Sequence, residues 1–88
     1  MGKADTTESE IFFKVQKILS EKLKLRKREI VQSSHLVNDL GIDSVDFWEI
    51  IAKVEQEFNI SVQEDKAKPV NTVQEMVEML KELERSKE

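Results

Sequence analysis

The stretch Leu40 to Ile50, LGIDSVDFWEI, decides how the rest of the chain is read. Gly41 offers a break in the backbone, Asp43 is a good helix N-cap, and Asp46 stands three residues on, where its carboxylate adds acceptor charge to a first turn. A helix therefore starts at Ser44 and runs to about Phe58. At about 100° per residue its main apolar stripe is Phe47, Ile50, Ile51, Val54 and Phe58, with Ser44 at the edge. A second stripe, Val45, Trp48 and Ala52, follows beside Ser44. Asp46, Glu49 and Glu57 lie on the opposite polar side, with Lys53 among them.

Upstream, Thr7 and Glu10 have capping-box spacing, and Ile11, Phe12, Val15, Ile18, Leu19 and Leu23 form the buried stripe of a first helix that ends by Leu25. From Arg26 to Asp43, Ile30, Val31, Leu36, Leu40 and Ile42 recur without a sustained helical period. They are expected to anchor a loop long enough to be functional or to hide a short helical turn around His35 to Asp39. Downstream, NISVQEDKAK (Asn59–Lys68) points Ile60 and Val62 inward and leaves one irregular turn near Gln63 to Lys68, which Pro69 ends. Thr72 and Glu75 repeat the capping-box spacing ahead of a last stripe of Val73, Met76, Val77, Leu80 and Leu83. Nothing alternates with period two for long enough to make a sheet. The fold class is all-α: a small bundle of three main helices plus one short helix, with a long loop between helices one and two. One domain spans 7–85, between a flexible tail at 1–6 and a frayed end at 86–88.

The 88 residues are 39% hydrophobic and 36% charged, which suits one small domain with little room for an enclosed active site as well as a core. There is no cysteine, so disulfides, thiolate metal sites and a thiol nucleophile are excluded. No apolar run approaches the ~20 residues that cross a bilayer, and the N-terminus lacks the apolar core of a secretory signal. These features predict a cytoplasmic, monomeric protein with no membrane insertion. MGKADT fits the loose myristoylation pattern through Gly2 and Thr6, but a charged tail is the better reading. The net charge of −4 is unevenly spread: residues 1–35 carry eight Lys/Arg against five Asp/Glu, and residues 36–88 carry six against 13. The acidic part, which contains Ser44, is expected to attract basic protein partners and to repel nucleic acid.

Ser44 has three possible roles. It can be an ordinary first-turn serine, a nucleophile, or a hydroxyl presented for another enzyme to modify. A nucleophile needs an oriented base, and His35 is the only histidine, in a loop that Ser33 and Ser34 mark as exposed; the glycines of a nucleophile elbow are missing. A calcium loop over Asn38–Glu49 would need glycine where Asp43 stands and oxygen ligands where Leu40 and Gly41 stand. Asp43 and Asp46 could hold a divalent ion only weakly.

The segment DLGIDSVD, Asp39 to Asp46, resembles the prosthetic-group attachment motif of acyl carrier proteins, commonly D-L-G-x-D-S-L-D, and departs from it only at Val45. The resemblance extends to the long first helix, the long loop, EQEFNISV after helix two, a short third helix and TVQEMVEML in the last. It implies that the chain is no enzyme, and that Ser44 receives 4'-phosphopantetheine from coenzyme A through a separate phosphopantetheinyl transferase. Acyl groups would then ride as thioesters in fatty acid or related specialised acyl biosynthesis, polyketides included. Acyl-loading, condensing and acyl-transfer enzymes with basic surfaces are the implied partners. The expected docking residues are Asp43, Val45, Asp46, Trp48, Glu49 and Ala52, with Glu55 further along. Trp48, one turn beyond Ser44, pads the bundle, guards an acyl pocket or joins that docking surface. The chain departs from fatty-acid-type carriers at Lys53, which interrupts the acidic second helix, and in the basic run Lys22 to Arg28, which could repel generic basic enzymes and select a dedicated one. The alternatives are a stand-alone peptidyl carrier, whose motif usually lacks the acid at Asp46, and an unmodified helical interaction module.

Overall fold

A computed structural model describes residues 7–86. The expected tail at 1–6, with its myristoylation pattern, and residues 87–88 lie outside the described residues. Four helices follow one another: α1 at Glu8–Leu23, α2 at Ser44–Phe58, α3 at Glu64–Ala67 and α4 at Val73–Ser86. Among the described residues there is no strand, only an isolated bridge between His35 and Thr72. The fold is all-α, as the periodicity predicts.

The three longer helices begin where their capping chemistry puts them. Thr7 Oγ1 accepts from the Glu10 amide and Glu10 Oε1 accepts from the Thr7 amide, both at 3.2 Å, so two otherwise orphaned donors of α1 are satisfied reciprocally. Asp43 Oδ1 accepts from the Asp46 amide at 2.8 Å and caps α2. Thr72 and Glu75 exchange the same pair of bonds ahead of α4, at 3.1 and 3.2 Å. α1 stops two residues short of Leu25, because Lys24 turns into the left-handed region (φ 61°) and its amide closes back on Ser20. The left-handed Asn59 ends α2 in the same way. α3 has four residues; the Val70 amide turns back to Ala67, and Pro69 has no amide with which to continue the helix.

α1 packs against both α4 and α2, and α3 against α4. Ile11, Val15, Ile18 and Leu19 meet Ile50, Ile51, Val54 and Phe58 of α2 and Val73, Met76, Val77 and Leu80 of α4 in one core. The loop between α1 and α2 contributes Ile30, Leu36 and Ile42, all but fully buried.

Two of the five expected loop anchors behave differently. Val31 is 49% exposed, because a tight turn holds its backbone instead: its amide donates to Ser34 Oγ and its carbonyl accepts from the Ser34 amide, both at 3.0 Å. The same turn buries Ser34, which the sequence placed on the surface, and satisfies its hydroxyl. Leu40 packs on the core only partly buried. The loop also carries a short 3₁₀ turn at Lys27–Glu29, which no periodicity announced, together with the expected helical turn, in which the Asp39 and Leu40 amides both donate to the His35 carbonyl.

Leu80 is fully buried where α4 meets the core. Leu80→Ala should lower unfolding free energy by about 2–5 kcal/mol, a large part of the total for a domain of this size. Thr72→Ala, which removes one cap, should cost about 1 kcal/mol. Urea denaturation of the two variants checks the contrast.

Candidate functional site

Ser44 is the first residue of α2, and the loop before it fixes where that residue sits. Gln16 of α1 donates through Nε2 to the carbonyls of Lys27 (2.8 Å) and Ile30 (2.9 Å), which ties down the start of the loop. Its middle is laced to the start of α4: the Val73 amide donates to Ser34 O, the Gln74 amide to Gln32 O, and the Leu36 amide to Asn71 O. Gly41 then adopts a left-handed φ of 70°. A Cβ there would meet nothing within 4 Å, so glycine serves the backbone conformation and not a close approach. The Ile42 amide returns to Leu36 O at 3.0 Å, Ile42 enters the core, and Asp43 and Ser44 emerge at the surface.

Ser44 is exposed, and among the described residues no hydrogen bond engages its hydroxyl. It opens onto a groove of about 330 Å³ between the start of α2, the preceding loop and the α3–α4 connection. Leu36, Val37, Ile42, Phe47, Trp48 and Val70 make the apolar lining; Asp43, Lys68 and Asn71 join Ser44 as its polar members. Phe47 was expected in the core stripe. It is only half-buried, because its ring stands edge-on to Trp48 (centroids 5.0 Å apart, planes at 80°) and lines this groove.

The expected docking residues divide into three groups. Asp43, Val45 and Ala52 are exposed, Val45 by 65%, and Asp46 and Trp48 are half-buried. Glu49 is exposed but engaged, since the Lys22 ammonium of α1 forms an ion pair with its carboxylate. The Lys22 pKa is raised, chiefly by the hydrogen bond to Glu49, against a lowering by desolvation, and further by the charges of Glu49, Asp46 and Asp43. Glu55 does not stand free for docking. It is half-buried, and its Oε2 accepts from the Val62 amide at 2.7 Å, which fixes the chain between α2 and α3.

His35 is half-buried and structurally employed: its Nδ1 accepts from the Asn38 amide and its own amide donates to Asp39 Oδ2. It does not line the groove at Ser44. Helical periodicity could not find Lys68, Val70, Asn71 or Leu36 as groove residues, because they lie in connections brought to Ser44 by tertiary bonds. The Lys22–Glu49 pair, 27 residues apart in sequence, left no local signal at all.

Comparison with known proteins bears on this site. Residues 14–80 match the family described as "Phosphopantetheine attachment site". The chain is similar to the acyl carrier protein of Cyanidium caldarium, 42% identical over 74 residues that cover 84% of this chain and 86% of that relative. It is also similar to that of Guillardia theta, 38% identical over 73 residues (83% and 90%), and to that of Buchnera aphidicola, 34% identical over 67 residues (76% and 84%).

Glu55 separates a structural acid from a docking acid. Glu55→Ala should destabilise the fold by about 1.5–3 kcal/mol through the lost charge-assisted bond to Val62, and should leave the salt dependence of association with basic proteins unchanged. Denaturant melts and salt titrations of binding check both halves.

Proposed function

The chain belongs to the acyl carrier protein family, whose members carry covalently attached 4'-phosphopantetheine, and from that premise we propose that Ser44 is the attachment residue of a carrier for fatty acid or related specialised acyl biosynthesis. One observation supports this above the others: the Ser44 hydroxyl, inside DLGIDSVD, is exposed, free of hydrogen bonds among the described residues, and open to an apolar groove. The surroundings suit the group. The N-terminus of a 15-residue helix favours the negative charge of a phosphodiester, and Lys68 adds a cation to the groove. Asp43 and Asp46 oppose that charge, and their more useful roles are to cap α2 and to meet the basic surface of the transferase.

Ser44 needs no base of its own in this scheme. On loading, its oxygen forms the new bond to phosphorus, the nucleotide half of coenzyme A leaves, and the serine proton passes to a base of the transferase. When bound, the arm's thiol supplies the thioester chemistry. The chain's own share is then to present, orient and shelter. The groove's apolar lining offers a place for the folded-back arm or a short acyl chain, with Trp48 narrowing it. Asp43, Val45, Asp46, Trp48 and Ala52 face the enzymes that load, condense and transfer the acyl group. Among the described residues no helix is long and apolar enough to cross a membrane, and work in the cytoplasm agrees with that. Lys53, Trp48 and the basic run from Lys22 favour a specialised carrier over a general one.

Intact mass after incubation with coenzyme A and a broad-specificity transferase tests the assignment. Wild type should gain one phosphopantetheine, and Ser44→Ala none; an unmodified wild type with several active transferases would leave an interaction module as the function. Trp48 fluorescence should shift progressively along a graded series of acyl forms, and Trp48→Val should widen the range of chains accepted. Spectra independent of chain length would make Trp48 a partner-facing residue.

A further inference from the structure

The acidic face of α2 is not uniformly available. Asp43, Asp46 and Glu49 follow one another at spacings of three, so a basic surface could in principle read all of them. Glu49 is already occupied by Lys22, which reaches across from the last turn of α1. The two residues share a cleft of about 320 Å³ between the helices, lined also by Ile18, Glu21, Ile50 and Lys53. Lys53 stands four residues after Glu49, one turn further along α2. Any arginine or lysine of a partner that approaches Glu49 therefore meets the Lys22 ammonium already paired with it, in a cleft whose other charges, Glu21 and Lys53, offset each other.

We propose that Lys22 is a specificity-determining residue: it masks Glu49, confines the readable acidic charge to Asp43 and Asp46 beside Ser44, and so selects enzymes whose basic contact is limited to the first turn of α2. The partner is a protein with a compact basic patch, and an extended basic surface spanning several turns is disfavoured. This rests on the carrier function proposed above. The raised Lys22 pKa, to which Asp46 and Asp43 also contribute, agrees with an ammonium held in the field of the whole acidic turn. Both partners of the pair are partly exposed, with side chains at 35% and 53%, so the contact adds little to stability and its removal leaves the fold intact. Its effect lies in recognition, where an unscreened like charge at the contact slows encounter and a masked acid contributes no steering.

The test compares wild type, Lys22→Gln, Glu49→Gln and the double variant, with Lys17→Gln as a control that removes the same charge from another exposed position of α1. Loading by a broad-specificity phosphopantetheinyl transferase is followed as kcat/KM at low and at physiological ionic strength. Affinity for a short oligolysine peptide is measured in parallel. Lys22→Gln should raise kcat/KM by about threefold or more at low salt, with the gain shrinking as salt rises, and should tighten peptide binding beyond the Lys17→Gln control. Glu49→Gln should give no gain in the wild-type background, where it leaves the Lys22 ammonium unpaired, and should abolish the gain in the Lys22→Gln background. Equal effects of Glu49→Gln in both backgrounds, or a Lys22→Gln gain no larger than the control's, would overturn the masking role. A wild type that gains no phosphopantetheine removes the Ser44 assignment instead, and the peptide titration then still decides whether Lys22 masks Glu49.

Discussion

The backbone bonds between the long loop and the first turn of α4 hold both the position of Ser44 and the groove beside it. A helix start exposes amides that have no partner within the helix, and a long loop carries carbonyls with the same need. Here each supplies the other: Val73 and Gln74 donate to Ser34 and Gln32, while Leu36 donates back to Asn71. The loop is thereby fixed at its middle, as Gln16 fixes it nearer α1. The stretch that remains before α2 is short. Gly41, Ile42 and Asp43 can then deliver Ser44 to one place, at the rim of a groove whose far side, Val70 and Asn71, belongs to the segment the loop is tied to. The same bonds that satisfy a helix terminus therefore also build the groove.

α2 carries two opposed demands at its N-terminus. Its helix dipole favours an anion at Ser44, and its cap, Asp43, is itself an anion. Asp43 spends one carboxylate oxygen on the Asp46 amide, which anchors the first turn while leaving the charge exposed. A serine in this position is held by its backbone and not by its hydroxyl. That is a good arrangement for a group another enzyme must reach, and a poor one for a nucleophile that must be activated from within.

Other side chains on and beside the same helix shape the surface it offers. Lys22, Lys53 and the half-buried aromatic pair Phe47–Trp48 change what a partner meets along α2 without altering how the bundle packs, since Ile50, Ile51, Val54 and Phe58 still fill the core. The side chains that fill the core and the charges that stay at the surface thus occupy different faces of one helix. Glu55 marks the boundary between them. It sits on α2 as Asp43, Asp46 and Glu49 do, yet its carboxylate closes the turn toward α3.

Whatever depends on near neighbours in the chain is legible in the sequence. Capping boxes at Thr7/Glu10 and Thr72/Glu75, the Asp43 cap and the apolar spacing of three helices fixed the helix order and most of the core, and DLGIDSVD singled out Ser44, because caps, periodicity and motif are all read within a few residues. Tertiary structure alone decided which residues surround Ser44 and which acids are free. Lys68, Val70 and Asn71 reach the groove through loop–helix bonds, Val31 and Ser34 exchange surface and interior through one tight turn, and Lys22 finds Glu49 across two helices. Each of these joins positions far apart in sequence or turns on backbone bonding that side-chain periodicity does not encode. Whether a charge is available to a partner depends on what the fold has already placed beside it.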